Sequence, residues 1–186
     1  KQIFITMSQL KVNSIIPVGG VASGGGGGIV QTVHTTTQAE VETSGTTYVD
    51  TNLEHSITPI AANSKILIYI SQQLSINSSD SGNGGGLNIL RKIASGGFSI
   101  IENSPANSTG PFLYFLSQGG ATSTNYHWRQ NMFHIDTPSY SVGDAITYKT
   151  QMRVYSVGTG LTLRAQNDAA NSHAPTSHIV LQEISV

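Results

Sequence analysis

Residues 65–76 read KILIYISQQLSI, and this stretch decides the fold class. Ile66, Leu67, Ile68 and Ile70, with Tyr69 among them, form the densest run of β-branched and bulky aliphatic side chains in the chain, and Leu74 and Ile76 then continue at every second position. The pattern is that of a strand. Its first half is apolar on both faces, as for a strand covered on both sides, and its second half on one face only. Residues 65–76 are therefore expected to be the central strand of the core.

Period-two patterns continue on both sides of it. Upstream, 29–37 (IVQTVHTTT) is rich in β-branched residues, and 46–50 and 53–59 follow as short strands around a turn expected at 50–52, with Pro59 ending the second. Downstream, 87–93, 112–116, 125–136, 145–157, 161–165 and 177–186 alternate in the same way. In 145–157, Ile146, Tyr148, Met152 and Val154 share a face; in 125–136, Tyr126, Trp128, Gln130 and Met132 do. No window places apolar residues at helical spacing between caps. About nine or ten strands with turns every 8–12 residues or so predict an all-β chain, an antiparallel β-sandwich of jelly-roll type with very little helix.

With 186 residues, one domain with a proper core is expected. The segment 19–28, GGVASGGGGG, costs too much backbone entropy to order as regular structure, so residues 1–28 read as an N-terminal arm plus linker and 29–186 as the sandwich. The chain does not begin with methionine, and Met7 is a candidate start.

Only 10% of residues are charged, against about 25% in an average soluble protein. Nine basic residues spread along a chain of net charge −1 make no patch for nucleic acid and no basic segment for membrane insertion. Without cysteine there is no thiolate metal site and no thiol nucleophile. The six histidines lack the spacings that seed a zinc site. The run DSGNG at 80–84 fails as an EF-hand loop, which needs a ligand where Gly82 stands and a glutamate where Arg91 stands. No phosphate-binding glycine loop and no G-x-S-x-G elbow occurs. Neither a catalytic residue, nor a metal, nor a cofactor is expected.

Recognition is the remaining chemistry. The polar segments 77–86, 103–111 and 167–175 are expected loops, and Asp80, Asn83, Asn107, Asn167, Asp168 and Asn171 are their candidate surface-recognition residues. Tyr126, Trp128 and Arg129 are candidates for a sugar contact, because aromatic faces with neighbouring donors suit sugar rings; a core position for Trp128 in an alternating strand is the competing reading.

Several segments resemble a known family. SITP at 56–59 with SKILI at 64–68, ITYKTQMRV at 146–154 and IVLQEI at 179–184 look like the C-terminal domain of structural proteins of tailed bacteriophages, common in phages of marine bacteria, and MSQLKVNSI at 7–15 is similar to the start of many such proteins. The resemblance covers roughly 29–186. It implies a non-catalytic virion component made in the host bacterial cytoplasm: a homotrimer of β-sandwiches on a fibre, fibre tip or capsid-decorating knob. Its arm would join other virion proteins, and its exposed loops would meet a glycan or protein of the host surface. A free carbohydrate-binding module of the same sandwich class is the alternative.

Overall fold

The computed structural model describes residues 28–78, 81–101, 113–118, 124–155, 161–167 and 173–186. Expectations for the arm and for the loop at 103–111 lie outside them. The described residues form eleven strands: β1 (Ile29–Thr37), β2 (Val41–Thr43), β3 (Val49–Ile57), β4 (Lys65–Ser78), β5 (Ser81–Ile93), β6 (Ser99–Ile100), β7 (Leu113–Gln118), β8 (Thr124–Asp136), β9 (Ile146–Val154), β10 (Thr162–Ala165) and β11 (Ser177–Ile184).

Two antiparallel sheets result. In the first, β4 is central: β8 runs along one of its edges, while the other edge pairs with β11 over its first half and with β10 over its second. β1 lies outside β11, and β2 outside β10. In the second sheet β5 is central, with β9 and then β3 on one side and β7 and β6 on the other. Setting aside the short β2, β6 and β10, the sheets run β1-β11-β4-β8 and β3-β9-β5-β7. This is the interleaved order of an eight-stranded jelly roll, in which the chain crosses between sheets and closes two Greek keys.

The core lies between the sheets and follows the alternation. Ile66, Ile68, Ile70, Leu74 and Ile76 of β4 pack with Leu53 and Ile57 of β3, Leu87 and Ile89 of β5, Met132 of β8, Ile146, Tyr148, Met152 and Val154 of β9, and Ile179 and Leu181 of β11. Within it runs a polar layer. Gln72 accepts from the Thr150 hydroxyl (2.9 Å) and donates to Ser177 Oγ (3.2 Å); Thr51 bonds to Thr150; Gln166 Nε2 donates to the Thr51 carbonyl (2.9 Å). Neutral groups in a low-dielectric interior are tolerated where they meet partners, as all of these do except Gln166 Oε1, and the layer ties the two sheets in one register.

Three expectations need correction. The turn at 50–52 is a bulge inside β3: Asp50 opposes Gln151 and Glu54 opposes Lys149, so three residues face one, and Asn52 takes the left-handed conformation (φ 59°) that asparagine tolerates. The segment 77–86 is mostly strand, since β4 continues to Ser78 and β5 begins at Ser81; Gly84, Gly85 and Gly86 are buried and pair with β7, and Gly85 and Gly86 with β9 as well. Pairing on both edges holds these glycines extended, and a register shift between Ser81 and Gly84 marks the bulge that glycine often signals. Finally, β4 is covered on one face only. Leu67 is half-buried and Tyr69 is 42% exposed, so its first half is apolar outward without a covering layer among the described residues.

Candidate functional site

The bulge in β3 shapes the outer face of the second sheet. Thr51 and Leu53 turn into the core, leaving Asp50, Asn52 and Glu54 pointing outward beside Lys149 and Gln151 of β9. Asp50 is fixed: Lys149 Nζ donates to Oδ2 and Gln151 Nε2 to Oδ1, each at 2.7 Å. Burial pushes this carboxyl up, but the two donors and the ammonium charge outweigh burial and hold it below the usual carboxylate range. Lys149 also stands 4.1 Å from the centre of the Phe98 ring, and Lys92 stands 5.0 Å from the same ring. Asp50, Asn52, Leu53, Glu54, Lys149 and Thr150 line a cavity of about 240 Å3. Further along the face, Arg153 lies 4.7 Å from the Tyr48 ring.

Two buried acids elsewhere are consumed by structure. Glu183 of β11 is fully buried and accepts from Gln31 Nε2 (2.6 Å), Ile60 N and Ala61 N (3.0 Å each) and Ser64 Oγ (2.8 Å). Burial opposes its charge, yet these donors keep its carboxyl below the ordinary range. Tyr140 closes the same turn, accepting from Ser64 N (2.9 Å) and donating to the Ala61 carbonyl (2.7 Å). The SITP, SKILI and IVLQEI segments, distant in sequence, thus meet in one latch. Asp136 of β8 receives both oxygens' bonds from Arg91 of β5 (2.7 and 2.8 Å) and one from Tyr148 of β9 (2.8 Å), joining the sheets; burial and then the carboxylate push the Tyr148 phenol up.

Among the histidines, sequence spacing missed one pair. His34 of β1 and His178 of β11 stack with ring centres 5.6 Å apart and Nε2···Nδ1 at 3.3 Å. Burial, then the neighbouring His34, lowers the His55 pKa. No group of three His, Asp or Glu that could hold a metal ion occurs among the described residues.

The candidate sugar-contact residues divide between two faces. Tyr126 and Trp128 are the register partners of Ile76 and Leu74 and pack against the core. Arg129 points outward, where it donates to the Thr176 carbonyl (3.0 Å) and Ser71 Oγ (3.3 Å). Asn167 anchors its own loop: its amide donates to Glu40 (2.9 Å) and its carbonyl accepts from Ser75 (2.7 Å). Asn83 belongs to β5, while Asp80, Asn107, Asp168 and Asn171 lie outside the described residues.

The outer face of the first sheet is apolar at one end. Leu67 is flanked by Ile135 and Gln182, and Tyr69 by Phe133 and Val180. Phe133 is 61% exposed, Ile135 47% and nearby Ile29 49%. The apolar side chains of this patch lie on β4 and β8 with Val180 of β11 beside them, and Gln182, whose amide donates to Thr32 Oγ1 (3.2 Å), bounds them toward β1. The patch reaches β8, a strand of 13 residues that pairs only with β4 among the described residues.

No known protein family and no curated protein matches the chain. Among solved structures, it is similar to a chain described as "Structure of infectious bursal disease virus Gx strain", with a TM-score of 0.36 and 10% identity over 95% of this chain and 43% of that one. The chain thus spans less than half the length of that neighbour, and its fold is assigned from its own strand order.

Proposed function

We propose that this chain is a non-catalytic structural component of a bacteriophage virion, a fibre, fibre tip or capsid-decorating knob, that assembles as a homotrimer. The observation that carries this reading is the jelly-roll strand order, an arrangement used by viral capsid and lectin domains. The apolar face supports the assembly. Exposed patches of several hundred Å2 mark interaction sites, and a long edge strand invites a partner. Copies meeting over Leu67, Tyr69, Phe133 and Ile135 would also cover the half of β4 that is apolar on both faces. In this reading the arm joins other virion proteins and the outward body meets a host surface molecule.

Gold-labelled antibody against the chain, applied to phage particles, should decorate a discrete virion site, and light scattering should give three times the chain mass. A chain absent from particles overturns the virion role. The second reading, a free carbohydrate-binding module, is favoured by the lined cavity at the β3 bulge; it expects a monomer that binds a defined sugar.

A further inference from the structure

We infer that the cavity at the β3 bulge is a binding site for a neutral polyhydroxylated ring, a single saccharide unit of a larger glycan. The bulge makes the concavity. Three residues of β3 oppose one of β9, and Asn52 is carried outward on a left-handed backbone. Such distortions concentrate where a side chain is re-aimed for binding.

The charges select the ligand class. Asp50 and Glu54 line the cavity with Lys149, and Lys92 shares the Phe98 ring with Lys149. Two carboxylates disfavour a phosphate or carboxylate ligand, and the Lys149 ammonium bonded to one of them disfavours a metal cation. Both carboxylate oxygens of Asp50 are engaged, whereas the side chains of Glu54 and Asn52 enter no hydrogen bond or ion pair among the described residues. Lys149 spends one donor on Asp50 and retains others. Free acceptors on Glu54, a free amide on Asn52 and spare N–H groups on Lys149 therefore stand within one cavity. A hydroxyl donates and accepts at once, so neighbouring hydroxyls on a ring satisfy such a set, which an apolar ligand would leave unpaired. The size agrees: about 240 Å3 falls just below the ~300–1,000 Å3 of drug-sized pockets and suits one ring.

This site differs from Tyr126, Trp128 and Arg129, and it rests on the reading of the body as an outward recognition surface. The test applies the full purified chain to an array of immobilised bacterial surface polysaccharides and simple sugars, followed by calorimetry with the free sugar of the strongest signal. Asn52→Gly keeps the backbone conformation and removes the amide. Glu54→Ala removes the free acceptors. Each should weaken binding about tenfold or more, with an unchanged unfolding midpoint, while Arg129→Ala should bind as the wild type does. Binding that survives both substitutions, binding lost in Arg129→Ala alone, or a chain that binds no sugar overturns the assignment. Particle labelling is read separately, so a chain that decorates virions yet binds no sugar sinks this inference and leaves the virion role standing.

Discussion

Replacing Glu183 by alanine should unlatch the β3–β4 turn from β11. The carboxylate is fully buried and collects four donors, two of which, Ile60 N and Ala61 N, are part-buried main-chain groups that cannot turn to another protein acceptor. Gln31 and Ser64 can turn to other acceptors; Ser64 Oγ already lies 3.4 Å from the Ala61 carbonyl. Hydrogen bonds to a charged group contribute about 1.5–3 kcal/mol each when buried and less where water can replace the carboxylate, as at the two part-buried N–H groups, so the four together predict a loss of about 2–4 kcal/mol. Glu183→Gln keeps the volume and one acceptor oxygen and should lose about half as much. Equilibrium unfolding in urea, at fixed protein concentration, measures this directly. With a slope of about 1–3 kcal/mol/M, the alanine midpoint should fall by roughly 1–2 M with the slope unchanged.

The pH dependence supplies a second reading of the same bond. The Glu183 carboxyl lies below its ordinary value in the folded protein, so it contributes full stability above the ordinary carboxylate range, and that contribution is lost as pH falls through the lowered native value. The gap between wild type and Glu183→Ala should therefore be widest near neutrality and narrow on acidification. A loss below about 1 kcal/mol, or a gap that stays constant into acid, would refute the latch.

Asp136→Asn should destabilise by about 3–5 kcal/mol, since it leaves the Arg91 guanidinium in a part-buried site without its carboxylate, whereas Tyr148→Phe should cost about 1–2 kcal/mol; thermal unfolding of both variants checks the order. Under the proposed trimer, Phe133→Lys on the exposed apolar face should yield a monomer in light scattering while leaving circular dichroism unchanged, and a variant of the same mass as the wild-type assembly would remove that face from the proposed interface. Gly143 sits at φ 97° in the turn where Asp144 N bonds to the Ser141 carbonyl, so Gly143→Ala should cost about 1 kcal/mol or more in urea unfolding, from backbone strain rather than contact.

Much of the sandwich was legible because side-chain alternation in a strand is local. Even-numbered positions of β4 from Ile66 to Ile76 face inward, and Ile146, Tyr148, Met152 and Val154 share the inner face of β9, as their spacing required. In sequence the β3 bulge looks like a turn, because Asp50 and Asn52 are turn-forming residues in either setting and only pairing with β9 keeps the chain extended past them. The glycines at 84–86 look like loop for the same reason, and only pairing with β7 and β9 makes them strand. None of the cavity's chemistry could be found by spacing, since Asp50 and Lys149 lie 99 residues apart.

By itself, then, the sequence determined that this chain is all-β, which side of most strands is buried, and that it is sparsely charged, because these follow from period-two patterning and composition. Tertiary structure alone decided which strands are neighbours, and hence that Glu183 meets the 60–64 turn and that His34 meets His178. It also decided that, among the described residues, the apolar outer half of β4 is left uncovered beside β8, which pairs with β4 alone. The physical reason is that strand order depends on pairings between segments far apart in the chain, from Ser78 with Thr124 to Ile29 with Ile184, whose energies are set by the whole interior rather than by any local stretch.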